Sequence, residues 1–356
     1  MTTSRRGRGG VGHPVRINLA LQGGGAHGAF TWGVLDRLLE EPEIEIAGIS
    51  GTSAGALNGA ALKAGLVAGG RAAARENLDW LWENVGAVGD LRLTHWMAAF
   101  TPGAGLVARM LETALPWSLS DAASRLVSPY AYGPFYRNPL ERVVERFDFD
   151  LVCADSAPAL FVGATNVRTG KIKVFEGRAI TTEAILASAC LPTLFQAVEV
   201  TDPETGQTDA YWDGGFTGNP ALFPLFAPEL PEDIVVVSIN PLERDEVPVT
   251  GQEIQNRINE ISFNSSLLRE LRSIRLVEDL IAEGRLARGS MKALRVHMVA
   301  DDGLMRQLNV ATKLLPSPVV LGELKAAGRA AAERFLDEMA PRLGREGTVD
   351  LKRLCD

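Results

Sequence analysis

Between residues 16 and 67 the sequence twice passes from a short apolar run, through glycine, into a helical pattern. Arg16–Gln22 (RINLALQ) reads as a buried strand ending on Gly23-Gly24-Gly25. Phe30, Val34, Leu35, Leu38 and Leu39 then recur at helical spacing, with Asp36, Arg37, Glu40 and Glu41 over much of the other face. Ile44–Ser50 is a second strand. Ala54–Val67 is a second helix, rich in small residues that allow close packing on a sheet. Two strand–turn–helix units in so short a span point to a parallel sheet covered by helices, because that arrangement buries every apolar stripe. The expected class is α/β: three α/β/α layers around a central, mainly parallel sheet.

Further along, Leu160–Thr165 and Lys171–Phe175 predict a hairpin turned at Arg168-Thr169-Gly170, and Thr181–Ala189 a helix. Ile234–Ile239 reads as a buried strand and Ala293–Val299 as a late one. Ile258–Ala282 reads as a long amphipathic helix marked by Ile261, Leu268, Leu271, Ile274, Val277 and Ile281; its Arg269, Arg272 and Arg275 read as a solvated face, with contact to lipid headgroups as the alternative. Leu321–Met339 predicts a last helix. Residues 80–136 stand apart, holding nine of the 23 aromatic residues and four prolines. They are expected to form a helical, aromatic-rich insertion, as a small core or as a lid over an apolar substrate. The expected organisation is a basic tail over 1–15, one main domain over 16–340 with a C-terminal helical part from 251, and a C-terminal tail over 341–356.

Composition narrows the function. Lys plus Arg is 36 against 44 Asp plus Glu, a net charge of −8, which disfavours a nucleic-acid partner held by bulk charge. Cys153, Cys190 and Cys355 are far apart and odd in number, so neither a disulfide framework nor a zinc spacing is present. A reducing compartment is the natural expectation. The basic N-terminus has no apolar stretch behind it and does not read as a secretory signal. No run of about eighteen apolar residues occurs.

Three motifs carry chemistry. Gly51-Thr52-Ser53-Ala54-Gly55 fits the Gly-x-Ser-x-Gly elbow, in which a serine sits on a strained strand-to-helix turn. Gly51 and Gly55 are needed there because a side chain would collide with neighbouring backbone. Gly23-Gly24-Gly25-Ala26-His27-Gly28 lets successive N–H groups point at one spot beside a helix N-terminus, as an oxyanion hole requires. The same glycines also satisfy Gly-x-Gly-x-x-Gly, but the acidic residue that a dinucleotide site wants after the second strand is replaced by Gly48. A P-loop is excluded, since no Gly-Lys-Ser/Thr follows. Asp213-Gly214-Gly215 supplies an aspartate that could act as the base for serine if it were held within reach and partly desolvated. No metal cluster is visible. A Ser-Asp-His triad would need His297, the only histidine after Asp213, yet His297 lies inside a predicted strand where a triad histidine does not belong.

The order of the glycine run, Gly-x-Ser-x-Gly and Asp-Gly-Gly resembles the patatin-like phospholipase family. Ala187-Ser188-Ala189 with Pro192, and Asn219-Pro220, resemble that family's neighbouring blocks. The resemblance runs over about 16–240 and more loosely to 339. It implies a serine-dependent lipid acyl-ester hydrolase of phospholipase A, lysophospholipase or esterase type, with no cofactor. Ser53 would be the nucleophile, Asp213 the base, and Gly23, Gly24 and Gly25 the oxyanion hole. His27 stands where the family often has Arg or Lys, so a titratable residue replaces a permanent charge beside the oxyanion hole. The implied partner is a lipid or acyl-ester substrate, met in the cytoplasm with transient contact at a membrane or lipid surface; self-association is left open. A polyhydroxyalkanoate-type polyester depolymerase or an acyl thioesterase could use the same dyad. A catalytically silent binding or scaffold protein is the reading from another class.

Overall fold

A computed structural model of the chain describes residues 14–87, 129–130, 136–192, 194–203, 205–287, 289–308, 312–313 and 316–355. The strands are β1 (Val15–Leu21), β2 (Ile44–Thr52), β3 (Ala159–Asn166), β4 (Ile172–Glu176), β5 (Val198–Thr201), β6 (Thr208–Asp213), β7 (Asp233–Val237) and β8 (Arg295–Val299). The helices are α1 (Gly28–Leu38), α2 (Ala54–Gly86), α3 (Glu141–Val144), α4 (Phe149–Val152), α5 (Thr182–Ser188), α6 (Gly251–Ala282), α7 (Asp302–Gln307), α8 (Pro318–Glu338) and α9 (Leu351–Cys355).

One eight-stranded sheet runs β5-β6-β3-β2-β1-β7-β8, with β4 also paired to β3. The strands from β3 to β8 along this path are parallel. β4, β5 and β6 add antiparallel pairs on the β3 side. Alternation along the central strands feeds two cores. Ile17, Leu19, Leu21, Val235 and Val237 face a core built with α1, α2 and α8. Ala20, Ile234 and Val236 face a second core with α6 and the turn at 222–225. Each central strand is buried on both faces, as a parallel sheet with helices on both sides requires. α1 and α8 cross at glycine: a Cβ on Gly33 would drive into the Lys325 carbonyl, and one on Gly328 into that of Phe30.

The elements read from the sequence are present, with shifts of a few residues at their ends. The predicted hairpin is β3–β4, pairing Phe161 with Glu176 through Thr165 with Ile172. α2 runs past Val67 because a second helix follows an interruption at Gly69 and Gly70. Trp80 and Trp82, assigned to the insertion by sequence, therefore belong to α2, and Trp82 lies in the main core. Residues 88–128 and 131–135 of the expected insertion lie outside the described residues, as does the basic tail as far as residue 13.

α6 starts seven residues earlier than expected. Thr250 and Glu253 form a capping box, each accepting a backbone N–H from the other's position. Its inward face also differs. Glu260, Phe263, Asn264, Ser266, Leu267, Leu271 and Ile274 are buried, while Ile254, Ile258 and Ile261 face outward. The C-terminal stretch packs rather than trails: Leu343 and Leu351 are buried, and the Thr348 N–H donates to Val296.

Candidate active site

Register along β3 brings two distant parts of the chain together. On one edge, β2 pairs up to Thr52 with Gly163, and β6 begins at the next residue with Asp213 opposite Ala164. β4 occupies the other edge over 161–165. β2 and β6 therefore meet head to head on a single edge of β3. Ser53, the residue after β2, and Asp213, the last of β6, are neighbours as a result.

Ser53 sits on the predicted elbow with φ 55° and ψ −121°, the one described non-glycine residue with positive φ. Such a conformation is strained for a side-chain-bearing residue and recurs at functional turns. A Cβ on Gly51 would stand 2.5 Å from the Gly55 carbonyl oxygen, and one on Gly55 would drive into that of Leu21. The Gly-x-Ser-x-Gly spacing is thus a steric demand of this turn. Ser188, at the end of α5, fixes the turn from behind. Its hydroxyl donates to the Gly163 carbonyl at 2.6 Å and accepts the Ser53 N–H at 2.9 Å.

Asp213 is 1% exposed. Its N–H donates to the Cys190 carbonyl and its own carbonyl accepts from the Thr165 hydroxyl, both at 2.8 Å. Oδ1 accepts the Gly215 N–H at 2.7 Å, whereas Oδ2 has no hydrogen-bond partner among the described residues. Burial pushes its pKa up to about 7, against the opposing pull of the Gly215 N–H and the Ser53 hydroxyl. The hydroxyl is therefore near enough to favour the carboxylate, yet it stands beyond full hydrogen-bond contact with Oδ2. Contacts of this kind commonly tighten only when substrate is bound.

The glycine run lies against the elbow: a Cβ on Gly23 would come within 2.6 Å of the Ser53 Cβ. The three glycines are not equivalent. The Gly23 N–H donates to Asn219 Oδ1 at 2.6 Å and so is already engaged. The Gly24 and Gly25 N–H groups have no partner among the described residues, and Gly25 has φ 60°. His27 is buried behind the run, with Nε2 2.9 Å from the Thr312 hydroxyl and Nδ1 without a partner among the described residues. Burial, then the charges of Lys313 and Arg244, hold its pKa well below the usual histidine range, so it is neutral.

A layer of buried amides beneath the run has no counterpart in the sequence motifs. Gln22 Oε1 accepts from the N–H groups of Ile239 and Asn240, at 2.9 and 3.1 Å. Its Nε2 donates to the Asn219 carbonyl and to Asn264 Oδ1. Asn240 Nδ2 donates to the Gly23 carbonyl at 2.7 Å. Only Asn219 carried a sequence signal, through Asn219-Pro220.

His297 is elsewhere. It sits in β8 with Nε2 3.0 Å from Asp233 Oδ1 and Nδ1 3.1 Å from the Thr348 hydroxyl. β7 and β1 separate β8 from β2, so His297 has no part in the Ser53 site. Two clefts among the described residues, of about 430 Å³ between α4 and α5 and about 290 Å³ between the 136–145 segment, α5 and the start of β5, include neither Ser53 nor Asp213. No group of three His, Cys, Asp or Glu among the described residues could hold a metal, and no described helix is long and apolar enough to cross a membrane.

Among solved structures, the crystal structure of VipD from Legionella pneumophila is similar over 91% of this chain and 67% of that one, at 12% identity and a TM-score of 0.40. No curated protein matches the sequence. Residues 19–226 match the family described as Patatin-like phospholipase. That span is more than half of the chain and contains the glycine run, the elbow, Ser188, Asp213 and Asn219. The chain belongs to the patatin-like phospholipase family, a family of lipid acyl hydrolases.

Proposed function

We propose that this chain is a serine acyl-ester hydrolase acting on lipids through Ser53 and Asp213. One observation carries the reading: a fully buried carboxylate with a free oxygen stands beside a serine held in a strained elbow. A carboxylate raised to about 7 is poised to take and return a proton near neutral pH.

Ser53 Oγ attacks the ester carbonyl carbon while its proton passes to Asp213 Oδ2. The developing oxyanion lies against the Gly24 and Gly25 N–H groups at the start of α1. Gly23, whose N–H is held by Asn219, is the anchored end of the run rather than a third donor. The C–O bond to the alcohol breaks and Asp213 returns the proton to the departing oxygen. Water then gives a proton to Asp213 and attacks the acyl-enzyme, and Ser53 leaves with the proton as the fatty acid is released.

The test is hydrolysis of p-nitrophenyl esters from short to long chain. Ser53→Ala should fall to background, and Asp213→Asn should lose roughly 10²–10⁴-fold in kcat. His297→Ala should keep its activity wherever it remains folded. Wild-type rates in Ser53→Ala would end the reading. A folded but inactive His297→Ala would move it to a triad. Wild type inert on every ester, and on phospholipid vesicles, would favour a binding protein.

A further inference from the structure

The Gly23 carbonyl accepts from Asn240 Nδ2 at 2.7 Å and from Asn219 Nδ2 at 3.3 Å. That carbonyl and the Gly24 N–H are the two ends of one peptide unit. Donors on the oxygen draw electron density from the nitrogen and strengthen the N–H at the far end, as in any hydrogen-bonded chain. The direction of the Asn240 amide is fixed at both ends: Nδ2 also donates to Gln22 Oε1 at 3.2 Å, and Lys313 holds the oxygen. The Lys313 ammonium donates to Asn240 Oδ1 at 3.3 Å, which turns Nδ2 toward Gly23. Lys313 also touches the run directly, since a Cβ on Gly25 would drive into the Lys313 carbonyl oxygen.

This lysine is 16% exposed and sits in a charged cluster. Glu260, with no exposed surface, takes Arg244 through both oxygens at 2.6 and 3.1 Å, Arg257 at 3.3 Å and Lys313 at 3.9 Å. Three cations around one carboxylate leave positive charge beneath the glycine run. Burial is the main cause of the lowered pKa of His27, and the charges of Lys313 and Arg244 add to it. Asn240, Glu260 and Lys313 all lie beyond the 19–226 family match.

We propose that Lys313 is a positioning residue of the hydrolase: through Asn240 its ammonium orients and polarises the Gly23–Gly24 peptide, so that the Gly24 N–H meets the oxyanion. The inference rests on the Ser53–Asp213 reading. A purely structural Lys313 would fasten the C-terminal part to the glycine run and affect stability alone.

The experiment measures kcat and KM on p-nitrophenyl butyrate, from about pH 5 to about pH 10, together with Tm. The proteins compared are wild type, Lys313→Arg, Lys313→Met and Ser53→Ala. Lys313→Met should lower kcat roughly 10–100-fold with KM within about two-fold, less than the loss of a direct oxyanion donor. Lys313→Arg should restore most of the rate. Lys313 faces Glu260 and Arg257 on α6, Arg244 on the loop after β7, and His27. Burial lowers its pKa to about 8; Glu260 opposes this and Arg244 adds to it. The wild-type kcat should therefore fall through about pH 8, and that limb should move upward in Lys313→Arg.

Lys313→Met within about two-fold of wild-type kcat would overturn the proposal. So would equal losses in Met and Arg that track Tm. A wild-type kcat flat from about pH 7.5 to about pH 10 would also overturn it, even if Lys313→Met failed to fold. Wild-type hydrolysis by Ser53→Ala is a separate outcome, one that removes the underlying reading.

Discussion

The two ends of the sheet each bury an aspartate, and the two are treated in opposite ways. Asp213, at the Ser53 end, has one oxygen on the Gly215 N–H and the other without a hydrogen-bond partner among the described residues. Asp233, at the first position of β7, receives His297 and the Gly344 N–H on Oδ1 and two Arg295 donors on Oδ2. Burial raises both pKa values. At Asp213 it prevails and the pKa reaches about 7; at Asp233 the His297, Arg295 and Gly344 contacts outweigh it and hold the carboxyl well below the usual range. The satisfied end ties the C-terminal stretch to the sheet. The other end keeps a buried carboxyl short of partners, and such a group weakens the fold that carries it.

The largest expected effect tests that last point. Asp213→Asn keeps the shape and an acceptor for the Gly215 N–H but removes the ionisable group. Activity should fall as stated, while stability should rise. The sign follows from linkage: a carboxyl whose folded pKa is raised loses stability as pH climbs from its ordinary 3.8 through about 7. That loss is on the order of 4 kcal/mol at pH 8, and Asp213→Asn escapes it. Its Tm should match wild type near pH 4 and exceed it above about pH 7. Equal Tm values at both pH values would mean that Asp213 is not strained.

Asp233→Ala should do the reverse. Removing one partner of a buried ionic cluster costs about 3–5 kcal/mol. Activity per folded molecule should stay near wild type, because the site is a strand length away. The pH signature is also opposite. A depressed carboxyl contributes stability that is full above about pH 4 and fades as pH falls further. Urea denaturation at about pH 7 and about pH 3 should therefore show a smaller gap between wild type and Asp233→Ala in acid.

The same contrast bears on what the sequence reveals. β1, β2 and the turns after them were legible because an apolar run punctuated by glycine has few other uses. His297 was legible as structural because it stands in an apolar strand. β5 and β6 were not, because VEVT, at the sheet edge, and TDAYWD, beside it, are half-exposed strands whose mixed polarity gives no clean alternation. Gln22, Asn240 and Asn264 were hidden for a related reason: single buried amides carry no periodicity. α6 misled outright. Its N-terminal half buries Glu260, Asn264 and Ser266 against the glycine-run support and turns Ile254, Ile258 and Ile261 outward, so an apolar stripe selects the wrong face. Local rules fail in that half because its buried polar groups support the glycine run, while Leu267, Leu271 and Ile274 further along fill the second core.

The smallest expected effect refines the account of the satisfied end. With Nε2 directed at Asp233, His297 Nδ1 is left to the Thr348 hydroxyl at 3.1 Å. Thr348→Val keeps the side-chain shape and the Thr348 N–H bond to Val296 but removes that hydroxyl. A buried ring nitrogen left without a partner costs about 1–3 kcal/mol. Partial exposure of residue 348 lets water replace the lost partner, which puts the expected loss near the lower bound. If Thr348→Val costs nothing while Asp233→Ala costs its full amount, the charge pairs alone secure this end. If it costs about 1 kcal/mol, the fold depends on complete satisfaction at Asp233, the condition that Asp213 Oδ2 lacks.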